Sequence, residues 1–132
     1  MPDSFINPID YMKYPRIFVV DDDPLMLFAF KKFFKNIGYP DIFTFANRAE
    51  LTSNTKLLPD IIFLDYFVEN ECGLDMLASI RRILPSCLVI FISGMTDSAV
   101  IEQSIKAGAA DFILKGPSML KGIRDILKRF IT

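Results

Sequence analysis

Five short runs of branched and aromatic apolar residues, separated by longer stretches with helical spacing, constrain the fold of this chain more than any other feature. The runs are Ile17–Val20, Ile42–Phe45, Ile61–Leu64, Leu88–Ile92 and Phe112–Leu114. Apart from Thr44 in the second run these runs are continuously apolar, which is typical of strands that are buried on both faces. Because such strands alternate with helices here, we predict an α/β fold with a doubly wound parallel sheet.

The segments between these runs carry helix signals. Asp23 is expected to cap a first helix that begins at Pro24 and runs to about Asn36, since an Asp cap followed by proline is a start signal. The remaining helices are predicted over 47–56, 73–84, 97–107 and 118–130.

The apolar residues of the first helix, from Leu25 to Phe34, cover more than one of its faces. Two interpretations stay open: a core helix that residues 1–14 partly cover, or a docking face for a partner protein. Residues 1–14 precede the regular pattern and are expected to form an N-terminal extension. Residues 15–132 are expected to form one domain, as the length of the chain suggests.

Composition excludes several classes of function. The net charge of −1 offers no basic surplus for direct nucleic-acid binding, and no apolar run is long enough to span a membrane. Cys72 and Cys87 do not form a metal or redox motif, so we expect a cytoplasmic protein with free thiols. The chain contains no histidine. A metal site must therefore use oxygen ligands, which favours Mg²⁺ or Ca²⁺ over zinc.

Polar residues follow four of the five apolar runs. Asp21–Asp23 follow the first run, Asp65 the third, Ser93 the fourth and Lys115 the fifth. In open α/β folds the ligand site lies outside the carboxyl ends of the strands. We therefore expect these residues to meet at one edge of the sheet.

These side chains suit phosphoryl transfer. Clustered carboxylates repel one another and need a cation, and Mg²⁺ prefers carboxylate oxygens. A carboxylate is a competent nucleophile and is already ionised at pH 7. The Lys115 ammonium and the Ser93 hydroxyl are suited to stabilising the charge on a transferred phosphoryl group.

Four segments in order resemble the receiver domains of bacterial response regulators: IFVVDDDP, IIFLDYFVENECGLD, VIFISG and AGAADFILK. The resemblance runs from about Arg16 to the C-terminus. It implies a flavodoxin-like (βα)5 receiver fold whose five parallel strands have the order 2-1-3-4-5. It also implies a two-component signalling switch rather than an enzyme.

The resemblance assigns a role to each matching residue. Asp65 matches the phosphorylated aspartate. Asp21 and Asp22 match the acidic pair that binds Mg²⁺ together with Asp65, and Phe67 matches the position whose backbone carbonyl binds the metal. Ser93 matches the switch hydroxyl.

Two further positions complete the implied switch. Phe112 matches the aromatic residue that changes rotamer with Ser93, and Lys115 matches the lysine that pairs with the phosphoryl group. The sequence departs from the family pattern after this lysine, where Lys115-Gly116-Pro117 replaces the usual direct Lys-Pro. The loop after Asp65 also lacks the usual proline.

The implied function is phosphorylation by a partner histidine kinase or histidine phosphotransfer protein. The switched surface is expected on the last two helices and the strand between them. Unless the sequence is an excised fragment of a longer protein, no output domain is expected to follow. Output is therefore expected through contact with a downstream protein, from a monomer or weak dimer. Apolar Phe67 and Met95 are expected to shield the acyl phosphate and slow its hydrolysis.

Two alternatives remain. A degenerate receiver binds partners without being phosphorylated. A phosphatase of the haloacid dehalogenase type uses Asp21 as its nucleophile and Asp23 as its acid/base, but that reading leaves Asp65 without a role.

Overall fold

The computed structural model describes residues 14–69, 71–94 and 97–131 and contains all five predicted strands. They are β1 Ile17–Val20, β2 Ile42–Phe45, β3 Ile61–Asp65, β4 Leu88–Ser93 and β5 Asp111–Leu114. All neighbouring pairs are parallel, and the strands lie in the order β2-β1-β3-β4-β5. The predicted fold class and strand order are therefore confirmed.

Five α-helices join these strands. They are α1 Pro24–Asn36, α2 Arg48–Ser53, α3 Gly73–Ile83, α4 Ser98–Lys106 and α5 Met119–Ile131. The prediction for the second helix was too long, because α2 ends at Ser53 and a 3₁₀ turn follows at Thr55–Leu57. The Asn54 side-chain amide donates to the carbonyl oxygen of Glu50 at 2.7 Å. Such side-chain hydrogen bonds compete with the backbone hydrogen bonds that would continue the helix.

Alternate residues of each strand face opposite sides of the sheet and pack into separate hydrophobic layers. Phe18 and Ile62 face the layer that α3 covers with Met76 and Leu77. Val19, Phe63 and other strand residues face the layer that α1 and α5 cover. Burying each large side chain of this kind stabilises the fold by roughly 1.5–3 kcal/mol, which explains why the strands are apolar on both faces.

Helix α1 has a buried and an exposed side. Phe30 and Phe34 are almost fully buried, whereas Leu25 is 78% and Phe28 is 68% exposed. The predicted cap is confirmed, because Asp23 Oδ1 accepts a hydrogen bond of 3.0 Å from the backbone N–H of Leu25. The alternative in which residues 1–14 cover this helix concerns residues that lie, up to position 13, outside the described part of the chain.

A short antiparallel ribbon, Phe67–Val68 paired with Glu71–Cys72, lies between β3 and α3 and was not predicted. Within the described ranges, none of the helices has both the length and the apolar character needed to cross a membrane.

Candidate functional site

The parallel register brings the predicted polar residues to one edge of the sheet. Asp21 directly follows β1, Asp65 ends β3, Ser93 ends β4 and Lys115 directly follows β5. Because β1, β3, β4 and β5 are consecutive neighbours, these four positions lie side by side. The convergence expected from the sequence is observed.

Three carboxylates form the centre of the site. One oxygen from each of Asp21, Asp22 and Asp65 lies within 4.8 Å of the other two. Asp21 is only 1% exposed and Asp65 9%, whereas Asp22 is open to solvent. A cation that enters this pocket therefore reaches two largely buried carboxylates and one accessible carboxylate.

Lys115 connects the two buried carboxylates. Its Nζ lies 3.2 Å from Asp21 Oδ2 and 3.2 Å from Asp65 Oδ2. The backbone N–H of Lys115 donates to the carbonyl oxygen of Ser93 at 2.7 Å, which fixes the start of this turn. The ammonium group therefore reaches the carboxylates even though Gly116 separates Lys115 from Pro117.

The charges at the site explain its protonation properties. Burial raises the pKa of Asp65, and the neighbouring Asp21 carboxylate raises it further, while Lys115 opposes both effects. Burial acts to lower the pKa of Lys115, but the carboxylates of Asp65 and Asp21 raise it by more, so the ammonium form is favoured. One ammonium group cannot neutralise three carboxylates. The oxygen-only donor set and its residual negative charge fit Mg²⁺.

Backbone N–H groups orient all three carboxylates. Asp21 Oδ1 accepts from the N–H of Asp23 at 2.9 Å, and Asp65 Oδ1 accepts a longer bond of 3.4 Å from Phe67. Asp22 Oδ2 accepts a bond of 3.0 Å from the N–H of Glu69, which lies in the turn of the ribbon. Sequence reasoning missed this last contact because a backbone amide carries no side-chain signature.

Tyr66 is a second feature that the sequence analysis missed. Its ring is buried and contacts Phe91 at a centroid distance of 5.1 Å and Phe112 at 6.0 Å. Burial raises the pKa of Tyr66 to about 12, and a hydrogen bond of 3.4 Å with the Cys72 thiol adds to this shift. The residue next to Asp65 thus packs directly against the predicted switch aromatic.

The remaining predicted residues surround this centre. Ser93 is buried at the end of β4, and Phe112 is half-buried against the layer that contains Phe91. The Phe67 ring is 51% exposed and lies edge-on to Tyr66 at 5.0 Å. Met95, the other predicted shielding residue, lies outside the described residues.

Known proteins are similar to this chain in sequence and in fold. The family model of the response regulator receiver domain matches residues 17–128. The chain is 34% identical to the chemotaxis protein CheY of Thermotoga maritima over 101 residues, which cover 76% of this chain and 84% of that protein. It is 31% identical to the transcriptional regulatory protein KdpE of Mycobacterium tuberculosis over 99 residues, or 75% of this chain and 43% of KdpE.

A solved structure is also similar to this chain in its three-dimensional fold. The crystal structure of a response regulator from Thermotoga maritima superposes with a TM-score of 0.78 and is 29% identical in sequence. The match covers 89% of this chain and 98% of that chain. The conserved arrangement of the sheet, together with a family match over most of the sequence, leads to one assignment: the chain belongs to the response regulator receiver domain family.

Proposed function

We propose that this receiver domain accepts a phosphoryl group on Asp65 from the phosphohistidine of a histidine kinase or histidine phosphotransfer protein. The observation that carries the proposal is the double contact of Lys115 Nζ with Asp65 and Asp21 inside an acidic pocket. Because this chain has no histidine, the donor histidine belongs to a partner.

In the proposed reaction, a carboxylate oxygen of Asp65 forms a bond to the phosphorus atom. The bond between phosphorus and the donor imidazole nitrogen breaks, and the imidazole leaves with the electron pair. The product is an aspartyl phosphate. Asp65 needs no general base once it is ionised, and Lys115 lies where it can pair with the added negative charge.

Asp21, Asp22, Asp65 and the backbone carbonyl of Phe67 are the groups that would hold Mg²⁺. When bound, this ion neutralises the acidic pocket and the oxygens of the incoming phosphoryl group. The negative charge of Asp21 beside Asp65 supports this assignment, since this carboxylate adds to the increase that burial produces in the pKa of Asp65.

The proposed output passes through Ser93 and Phe112 to the surface of α4, β5 and α5. Phe112 in β5 contacts Tyr66, which directly follows Asp65 in the sequence. A change at Asp65 can therefore reach β5 through side chains in contact. Large apolar side chains are exposed on these three elements, as expected of a surface that binds a target protein. They are Ile105, Leu114, Leu120 and Phe130.

Intact-mass spectrometry after incubation with acetyl phosphate and MgCl₂ tests the proposal. We expect one phosphoryl adduct on the wild-type chain and none on Asp65→Asn or in EDTA. Asp23→Ser is a matched control, because serine keeps the cap of α1 while removing the carboxylate that a haloacid dehalogenase mechanism requires. This variant should be labelled like the wild type.

The opposite results are equally informative. Labelling of Asp65→Asn at wild-type yield would reject Asp65 as the acceptor. If neither acetyl phosphate nor a phosphorylated histidine phosphotransfer protein labels the wild-type chain, the domain is a degenerate receiver that binds partners without phosphorylation.

A further inference from the structure

We propose that the backbone amide of Glu69 is a positioning group for the metal site, and that the ribbon after β3 sets the Mg²⁺ affinity by holding Asp22. The inference rests on the proposed function, because it assumes that Asp22 is one of the Mg²⁺ ligands. It adds the Glu69 amide to a ribbon in which only the backbone carbonyl of Phe67 has been given a role at the metal site.

The base of the ribbon is anchored firmly next to Asp65. The N–H of Gly73 donates to the carbonyl oxygen of Tyr66 at 2.6 Å, which closes the segment into a loop. Phe67 pairs with Cys72 in the ribbon, and the side chain of Val68 is only 1% exposed. The strands of the ribbon are therefore part of the packed structure and can hold Glu69, which directly follows Val68, in a fixed position.

The turn of the ribbon contacts the exposed member of the acidic group. The N–H of Glu69 donates to Asp22 Oδ2 at 3.0 Å, across 47 residues of sequence. The ribbon thus connects Asp65 at its base to Asp22 at its turn. The relative position of these two carboxylates depends on the geometry of the ribbon as well as on strands β1 and β3.

Glu69 adopts a backbone conformation that is unfavourable for its residue type. Its φ is 53°, in the left-handed region, which costs a non-glycine residue about 1–2 kcal/mol. This conformation occurs at the residue whose N–H contacts Asp22. Strained backbone at a ligand site is a recognised sign of a functional constraint.

The physical role follows from the donor and its acceptor. A backbone amide that is fixed by the ribbon limits the rotation of the otherwise solvent-exposed Asp22 carboxylate. A metal ligand that is oriented before binding loses less conformational entropy when the ion arrives. Loss of such an outer contact typically weakens metal affinity by about 10–100-fold.

Mg²⁺ titration followed by ¹⁵N NMR on three variants tests this role. Glu69→Pro removes the N–H and also fixes φ at about −65°, away from the 53° of Glu69, so it changes the turn as well as the hydrogen bond. Glu69→Gln keeps the N–H and removes only the side-chain charge. Glu69→Gly keeps the N–H and relieves the unfavourable φ. We expect the Mg²⁺ dissociation constant to rise about tenfold in Glu69→Pro and to change less than about threefold in the other two.

Equal Mg²⁺ affinity of Glu69→Pro and the wild type would overturn the inference but leave the proposed function intact. Failure of the wild-type domain to bind Mg²⁺ would instead remove the proposed metal site itself. An affinity loss in Glu69→Gln equal to that in Glu69→Pro would assign the effect to side-chain charge and would also overturn the inference.

Amide hydrogen exchange provides a second measurement that does not require a folded Glu69→Pro variant. In the metal-free protein, Asp22→Ala removes the acceptor, so the Glu69 amide should exchange faster than in the wild type. The amides of Tyr66 and Gly73 are the internal controls, because neither donates to Asp22. The Tyr66 N–H donates to the carbonyl oxygen of Ile92, and the Gly73 N–H donates to that of Tyr66. An unchanged Glu69 exchange rate would contradict the proposed contact.

Discussion

At the scale of single residues, the burial of Asp65 beside the Asp21 carboxylate has a cost in the absence of metal, and the contact with Lys115 offsets only part of it. Burial and the nearby Asp21 carboxylate raise the pKa of Asp65, so its ionised form is disfavoured in the folded protein. We expect Asp65→Asn to stabilise the domain in EDTA at pH 7 by on the order of 1 kcal/mol, as measured by thermal unfolding. Lys115 keeps Asp21 as a partner in this variant.

The pH dependence of stability provides a second test of the same argument, because the raised pKa of Asp65 determines whether stability rises or falls with pH. Because the Asp65 pKa is higher in the folded than in the unfolded chain, the folded state binds more protons between the ordinary and the raised value. The metal-free wild type should therefore lose stability as pH rises through this window, and Asp65→Asn should lack that loss. The exposed Asp125→Asn is the control and should behave like the wild type. A less stable Asp65→Asn protein in EDTA would contradict the argument.

The half-exposed ring of Phe67, two residues after Asp65, leads to a kinetic prediction. An apolar ring beside the acyl phosphate limits the approach of water. The aspartyl phosphate of Phe67→Asn should therefore be hydrolysed several-fold faster than that of the wild type. The decay of the adduct by intact-mass spectrometry measures this rate. Phe67→Leu keeps an apolar side chain and should decay at close to the wild-type rate, whereas equal decay of all three proteins would reject shielding.

Sequence reasoning identified the residues whose chemistry lies in their side chains. Asp21, Asp65 and Lys115 follow apolar strands, so their convergence is a consequence of the parallel sheet. Tyr66 and Glu69 were missed for different reasons. A tyrosine beside a strand is indistinguishable from an ordinary core residue, and the contact of Glu69 depends on its backbone.

At the scale of secondary-structure elements, long apolar patterns were predictable and short polar ones were not. The strands were recognised because each is mostly apolar, and their bounds agree within one residue. The ribbon has only two residues in each strand and the segment YFVENECG lacks a regular alternation. Its formation depends on the closing bond between Gly73 and Tyr66, which only the folded chain reveals.

The first residue of α3 offers an element-scale prediction. A Cβ atom on Gly73 would lie 2.5 Å from Cε1 of Phe91 and 3.0 Å from the carbonyl oxygen of Tyr66. Gly73→Ala should therefore destabilise the domain by roughly 1–3 kcal/mol through overpacking, as measured by urea unfolding. It should also displace the ribbon.

A glycine in α5 provides the matched control. The nearest atom to a Cβ on Gly122 is 3.6 Å away, an ordinary contact. Gly122→Ala should stabilise the domain by about 0.5–1 kcal/mol because alanine favours a helix interior. Equal effects of the two substitutions would show that helix propensity, and not crowding, controls position 73.

At the scale of the whole molecule, the acidic pocket links strands that are far apart in sequence. Asp21 and Lys115 are separated by 94 residues yet form an ion pair. The sequence indicated the edge of the sheet at which they lie, but the 3.2 Å contact depends on the turn at Gly116. That turn departs from the family pattern, so its geometry had to come from the structure.

Mg²⁺ should therefore stabilise the entire domain. A ligand that binds only the folded state at ten times its dissociation constant adds about 1.4 kcal/mol to the free energy of unfolding. We expect the melting temperature to rise by roughly 4–6 °C with saturating MgCl₂ and to return in EDTA. Asp22→Asn should reduce the shift, and NaCl of equal ionic strength should not reproduce it. The absence of a Mg²⁺-dependent shift would contradict binding at this pocket.

The assembly of one pocket from residues at the ends of β1, β3 and β5 also has a consequence for the order of events during refolding. Early in refolding, a chain that has not yet paired β1 with β3 holds an incomplete set of ligands, because Asp21 and Asp22 follow β1 while Asp65 ends β3. Loop closure over such a separation is slow. Metal affinity then appears after the chain has collapsed and formed its helices. During refolding, Mg²⁺ uptake should lag behind helical circular dichroism, so the ion reports the pairing of β1 with β3.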